Sequence, residues 1–100
     1  MATHKQVQLI AHLLAKPGKE AALESALLAA LPAIHAEPGC VAYVPHVSLE
    51  HPHEIVIYEI WENAETHAAH KAGIPLGRLK ALFSELLVKP HHVEPLCRLD

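Results

Sequence analysis

Five turn signals constrain this chain more than any single residue does. They are Lys16-Pro17-Gly18, Glu37-Pro38-Gly39, His51-Pro52-His53, Gly73-Ile74-Pro75 and Lys89-Pro90, and they cut 100 residues into segments with distinct hydrophobic periods. Val7 to Ala15 alternates, with Val7, Leu9, Ala11 and Leu13 on one side and Ile10, His12 and Leu14 on the other, which predicts a strand. Lys19 to Ile34 has helical period through Leu23, Leu27, Ala30/Leu31 and Ile34, with Pro32 placed to fray or kink the last turn. Cys40–Ser48 and Glu54–Trp61 are two β-rich runs around a polar loop, the pattern of an antiparallel hairpin. Asn63 is placed to cap a short helix through Lys71, and Pro75 to open another carrying Leu76, Leu79, Leu82/Phe83 and Leu86. Val93 to Leu99 closes the chain as a strand.

The order β-α-β-β-α(α)-β is that of a ferredoxin-like α+β sandwich, expected as a single domain over residues 1–100. Helices cover one face of such a sheet, and the other should meet water with polar side chains. Here both faces are apolar. Val41, Tyr43 and Val47 alternate with Cys40, Ala42 and Val44, while Val56, Tyr58 and Ile60 alternate with Ile55, Ile57 and Trp61. Since 51% of residues are hydrophobic, the uncovered face calls for a partner, and a homodimer packed sheet on sheet meets that need.

Charge and motifs exclude several classes. Eight Lys and Arg against eleven Asp and Glu, with no basic run, give nucleic-acid binding no electrostatic footing. No apolar run reaches bilayer length, and Gln8 and His12 interrupt the first apolar stretch, so it reads as a strand rather than a signal peptide or membrane anchor. Cys40 and Cys97 read as two buried, reduced thiols of a cytoplasmic protein. Gly18, Gly39, Gly73 and Gly77 form no phosphate-binding loop. Ten histidines added to a formal charge of −3 would give +7, so association should respond to pH. His67 and His70 stand at i, i+3, and His51 and His53 flank a turn, yet no spacing completes a ligand set, and no metal is expected. His51, His53, His91 and His92 fall at turns and are expected on the surface.

Four segments together resemble the antibiotic biosynthesis monooxygenase family, its quinol monooxygenase-like branch most closely. They are Ala15-Lys16-Pro17-Gly18-Lys19, Glu37-Pro38-Gly39-Cys40-Val41-Ala42-Tyr43, Ile57-Tyr58-Glu59-Ile60-Trp61-Glu62 and His70, nine residues after Trp61. The resemblance runs from about Val7 to Leu96 and implies a dimeric α+β barrel. It further implies oxygenation of a quinol or polycyclic phenol by dioxygen in an apolar pocket, without any cofactor. An electron-rich phenolate can itself reduce dioxygen. The protein must then supply a base, donors for the oxyanion and a dry cavity.

His70 matches the family's histidine after the tryptophan and is the expected base. Trp61 is expected to shape the pocket, and Tyr43 and Tyr58 to offer phenolic donors. Glu59 alternates with Ile57 and Trp61 on an apolar strand, where an unpaired carboxylate is costly, so it should meet a cation or histidine. Glu37 is expected to serve the turn before Gly39. Many family members carry a second histidine shortly after the first; Leu76 stands at that place here, with His12 and His46 as candidate substitutes bordering the substrate. Haem-degrading relatives use an Asn on the first strand and a Trp and a His on later helices. Ala11 or His12, His70 and Lys80 occupy those places, which argues against haem. An isomerase of phosphorylated sugar derivatives would want cations at its pocket, and Lys71, Arg78 and Lys80 read as scattered. A binding protein on the same barrel, without chemistry, is the remaining alternative.

Overall fold

The computed structural model describes residues 5–100; the first four residues of the expected domain lie outside it. Seven elements follow one another: β1 (Val7–Leu14), α1 (Glu20–His35), β2 (Cys40–Val47), β3 (Glu54–Trp61), α2 (Ala64–Lys71), α3 (Ile74–Leu86) and β4 (His92–Leu96). The strands form one antiparallel sheet in the order β2-β3-β1-β4, with the helices on one face. This is the ferredoxin-like α+β sandwich expected from the element order.

Each element has a local cause. Gly18, at φ +83°, turns the chain out of β1 toward α1. The α1 helix continues past Pro32 to His35, because Pro32 sits on its exposed side, where water reaches the backbone left without a bond. The Asn63 side chain accepts the Thr66 N–H at 2.9 Å, and the Thr66 hydroxyl accepts the Asn63 N–H at 3.2 Å, a reciprocal cap that starts α2. Pro75 lies in the first turn of α3, where its missing N–H costs nothing. The last strand stops at Leu96 rather than running to Leu99, since Leu96 is the final residue paired with β1.

The sheet's inner face and the helices make one core. Leu9, Ala11, Leu13, Ile55, Ile57 and Trp61 on the strands meet Leu23, Leu27 and Ile34 of α1 and Leu79 and Leu86 of α3. Each large side chain buried there is worth about 1.5–3 kcal/mol. A β-bulge between Cys40 and Ala42 corrects the parity expected for β2: Cys40 pairs with Trp61 and Tyr43 with Glu59, so both strand pairs face the helices. Cys40 is only half-buried and Cys97 is exposed beyond β4, contrary to the expectation of two buried thiols; neither is in a disulfide.

Ile10, Val56, Tyr58 and Ile60 lie on the outer face, where no helix among the described residues packs, and Val44 there is exposed. Among the described residues no helix is long and apolar enough to cross a membrane.

Candidate functional site

A cavity of about 250 Å³ lies between the inner face of the sheet and α2–α3. Leu9, Ala11, Leu13 and Ile57 form its apolar floor, and Leu76 and Phe83 of α3 its wall. Tyr43, Glu59 and His70 bring polar atoms to that well, and all three are buried.

His70 sits in the last turn of α2 and is held on three sides. Its Nδ1–H donates to Glu37 Oε1 at 2.8 Å, its ring stacks on Trp61 with centroids 4.3 Å apart, and Tyr43 meets it edge-on at 5.7 Å. In the neutral ring, a carboxylate on Nδ1 selects the tautomer that carries the lone pair on Nε2. That nitrogen lies 3.9 Å from Glu59 Oε1, too long for a hydrogen bond and close enough for mutual electrostatic influence. Glu59 in turn accepts the Trp61 indole N–H at 2.9 Å. Its hydrogen-bond partner is thus an indole of its own strand rather than the cation or histidine expected, with His70 only at ion-pair distance.

Glu37 is the residue that sequence reasoning misplaced. Rather than serving only its turn, it reaches across 33 residues to orient the imidazole. Gly39, two residues on, has φ +77° and lies so close to Thr66 that a Cβ there would collide with the threonine side chain. A Cβ on Gly73 would lie 2.9 Å from Glu37 Oε2. The turn is thus packed directly against α2, which brings carboxylate and histidine together.

Burial first, then the nearby Glu59 and Glu37 charges, pushes the Tyr43 hydroxyl above its ordinary range, so it stays a donor. No side chain or carbonyl among the described residues takes that hydroxyl's proton. Burial also raises the Glu59 carboxyl; the Trp61 N–H and His70 pull it down and Glu37 pushes it up. A carboxyl whose folded value lies above the ordinary 4.5 stabilises the fold below that pH and loses the contribution as pH rises through the raised value. Glu59→Gln keeps an oxygen for the Trp61 N–H and removes the buried charge. Its urea midpoint should exceed the parent's at pH 7, with the gain shrinking toward pH 4; a gain independent of pH would refute the assignment.

Other expected site residues fall elsewhere. Trp61, with 0% exposure, does not line the cavity; it lies beneath His70 as a support. Tyr58, His12 and His46 project from the outer face, because strand parity that turns Glu59, Ala11 and Tyr43 inward turns their alternates outward. There His12 meets Glu94 at 3.1 Å and Glu54 at 3.5 Å and stacks on His92. Leu76 does line the cavity, as an apolar wall.

Four further residues line the cavity that spacing did not bring together: His67 and Lys71 of α2, Lys80 of α3, and His91 before β4. His91, expected on the surface, packs edge-on against Phe83 at 5.3 Å. Two of the three cations read as scattered thus converge, whereas Arg78 faces the groove between α1 and α3. Burial and Lys71 hold His67 below the usual histidine range; burial and Lys80 do the same for His91. Among the described residues no three His, Cys, Asp or Glu side chains gather as a metal-ligand set.

Fold and cavity define a ferredoxin-like sandwich that holds a carboxylate-oriented histidine against a buried apolar well. Residues 7–75 match the family model for antibiotic biosynthesis monooxygenases, and the chain belongs to that family. Among solved structures it is similar to the Rv0793 protein of Mycobacterium tuberculosis, at 28% identity and a TM-score of 0.87 over 95% of this chain and 96% of that one. An NE2512 protein of unknown function from Nitrosomonas europaea is 30% identical, with a TM-score of 0.85 over 98% and 94% of the two chains. The PA3566 protein of Pseudomonas aeruginosa is 27% identical, with a TM-score of 0.89 and complete coverage of both. No curated protein matches the chain.

Proposed function

We propose that the protein is a cofactor-independent monooxygenase that oxidises a quinol or polycyclic phenol with dioxygen in the cavity under α2 and α3. The observation that carries this reading is the Glu37–His70 pair, 2.8 Å apart, at the wall of an apolar well. His70 Nε2 takes the phenolic proton, and the Glu37 carboxylate steadies the imidazolium that forms. Tyr43 donates its hydroxyl to the phenolate oxygen. The phenolate passes electrons to dioxygen in a space that excludes water. For a bicyclic quinol the balance is quinol plus dioxygen to hydroxyquinone plus water. One oxygen atom enters a ring C–H, and the other leaves as water with the two hydrogens lost by the quinol.

Two copies pack through their outer faces, where Ile10, Val56, Tyr58 and Ile60 need cover, and close a dimeric barrel. The working place is the cytoplasm, which keeps the thiols of Cys40 and Cys97 reduced.

Reduced menadione, supplied to the purified protein in metal-chelated, flavin-free buffer, tests the reaction. The expected result is oxygen uptake above the spontaneous rate, hydroxyquinone as product, no stoichiometric hydrogen peroxide, and a particle mass of two chains. A panel of quinols and polycyclic phenols that bind without oxygen uptake would overturn the monooxygenase reading in favour of a binding protein.

A further inference from the structure

The charge around the cavity contradicts the charge of the chain. The protein as a whole is acidic, at −3, yet the side chains lining this cavity include two lysines and three histidines against one carboxylate. That carboxylate, Glu59, is 5% exposed and already engaged by the Trp61 indole N–H and faced by His70. Lys71 and Lys80 are exposed, and among the described residues neither has a carboxylate within ion-pair distance. The lining thus has a gradient: an apolar, buried floor carrying Tyr43 and His70, then a solvent-facing margin of uncommitted cations on α2 and α3.

We infer that the ligand of this cavity is an aromatic acid, whose ring and hydroxyl fill the well at Tyr43 and His70 while its carboxylate meets Lys71 and Lys80 at the mouth. Two lysines set on different helices around an apolar opening favour an anion that arrives attached to an apolar body. His67 and His91, held neutral at pH 7 beside those lysines, would hydrogen-bond the carboxylate without adding full charge. The inference rests on reading the cavity as the substrate site, and it adds which end of the substrate points outward and what group that end bears.

Isothermal titration of 6-hydroxy-2-naphthoate against its neutral carboxamide isolates the carboxylate, since ring and hydroxyl are the same. At low salt the acid should bind roughly five- to tenfold more tightly, as expected for two partly exposed ion pairs. In the Lys71→Met/Lys80→Met double variant the preference should vanish while the carboxamide keeps its affinity, which shows that the well is intact. Raising the salt to 0.5 M should shrink the preference in the parent protein. An acid that binds no tighter than its carboxamide, or an advantage that survives the double substitution, overturns the inference. Naphthoate binding with no oxygen uptake from any quinol would leave this inference standing and sink the monooxygenase reading. Quinol turnover with no acid preference does the reverse.

Discussion

His70→Gln should lower quinol-dependent oxygen uptake by about 100- to 10,000-fold in kcat, the span a positioned general base contributes. The substitution keeps a polar side chain of similar reach, so the packing over Trp61 changes little and KM should move far less than kcat. Glu37→Gln tests the other half of the pair. Its amide oxygen still accepts the Nδ1–H, but the negative charge facing the imidazolium is gone, so kcat should fall in the same direction by less. Glu37→Asp retains the charge and shortens the reach; partial recovery relative to the amide would mark charge, rather than shape, as what Glu37 supplies. A folded His70→Gln protein with full kcat would remove the base from the mechanism.

Trp61→Ala should destabilise the fold by about 3–5 kcal/mol, the usual cost of truncating a buried aromatic. Trp61 is 0% exposed, and its ring supports the imidazole while its N–H satisfies the buried Glu59 carboxylate. The truncation therefore opens a void and strips a donor from a desolvated acid. Urea unfolding at constant m-value measures it. If the alanine variant does not fold, Trp61→Phe isolates the lost donor and should cost about 1–3 kcal/mol. Leu99→Ala, at a fully exposed position, is the control and should stay within about 0.5 kcal/mol of the parent. A Trp61→Phe protein as stable as the parent would show that the indole N–H does nothing for Glu59.

The elements were legible because turn chemistry and hydrophobic period agreed. Asn63 and Pro75 marked the starts of α2 and α3, and the alternation from Leu9 to Leu14 is the burial pattern of β1, which breaks only at Val7 and the buried Gln8. Parity was equally readable for Tyr58: it alternates with Glu59 and Trp61, so the strand that turns those two inward turns Tyr58 outward. The β2 parity was not readable, because a bulge inserts one residue between Cys40 and Ala42, where the adjacent Pro38-Gly39 signals only the turn before the strand. The site was legible only in part. Tyr43 lies on the bulged β2, whose buried face the pattern hides, and His70 was placed by the resemblance, whereas Glu59 stands on a strand whose buried face follows from its period. Glu37 was not legible, since nothing local to a Pro-Gly turn says which distant side chain it will meet. The convergence of Lys71, Lys80, His67 and His91 depends on how α2, α3 and the approach to β4 pack, which no window of sequence contains.

The contact of Gly39 with Thr66 reaches beyond one crowded glycine. The Gly39 carbonyl also accepts the Glu62 N–H at 2.8 Å, and Gly73 closes over Glu37. The turn before β2, the cap of α2 and the entry to α3 therefore interlock as a cassette spanning residues 37–73. Chimaeras with relatives should tolerate crossovers on either side of that span, while a crossover inside it would pair a carboxylate from one parent with a histidine seated for another.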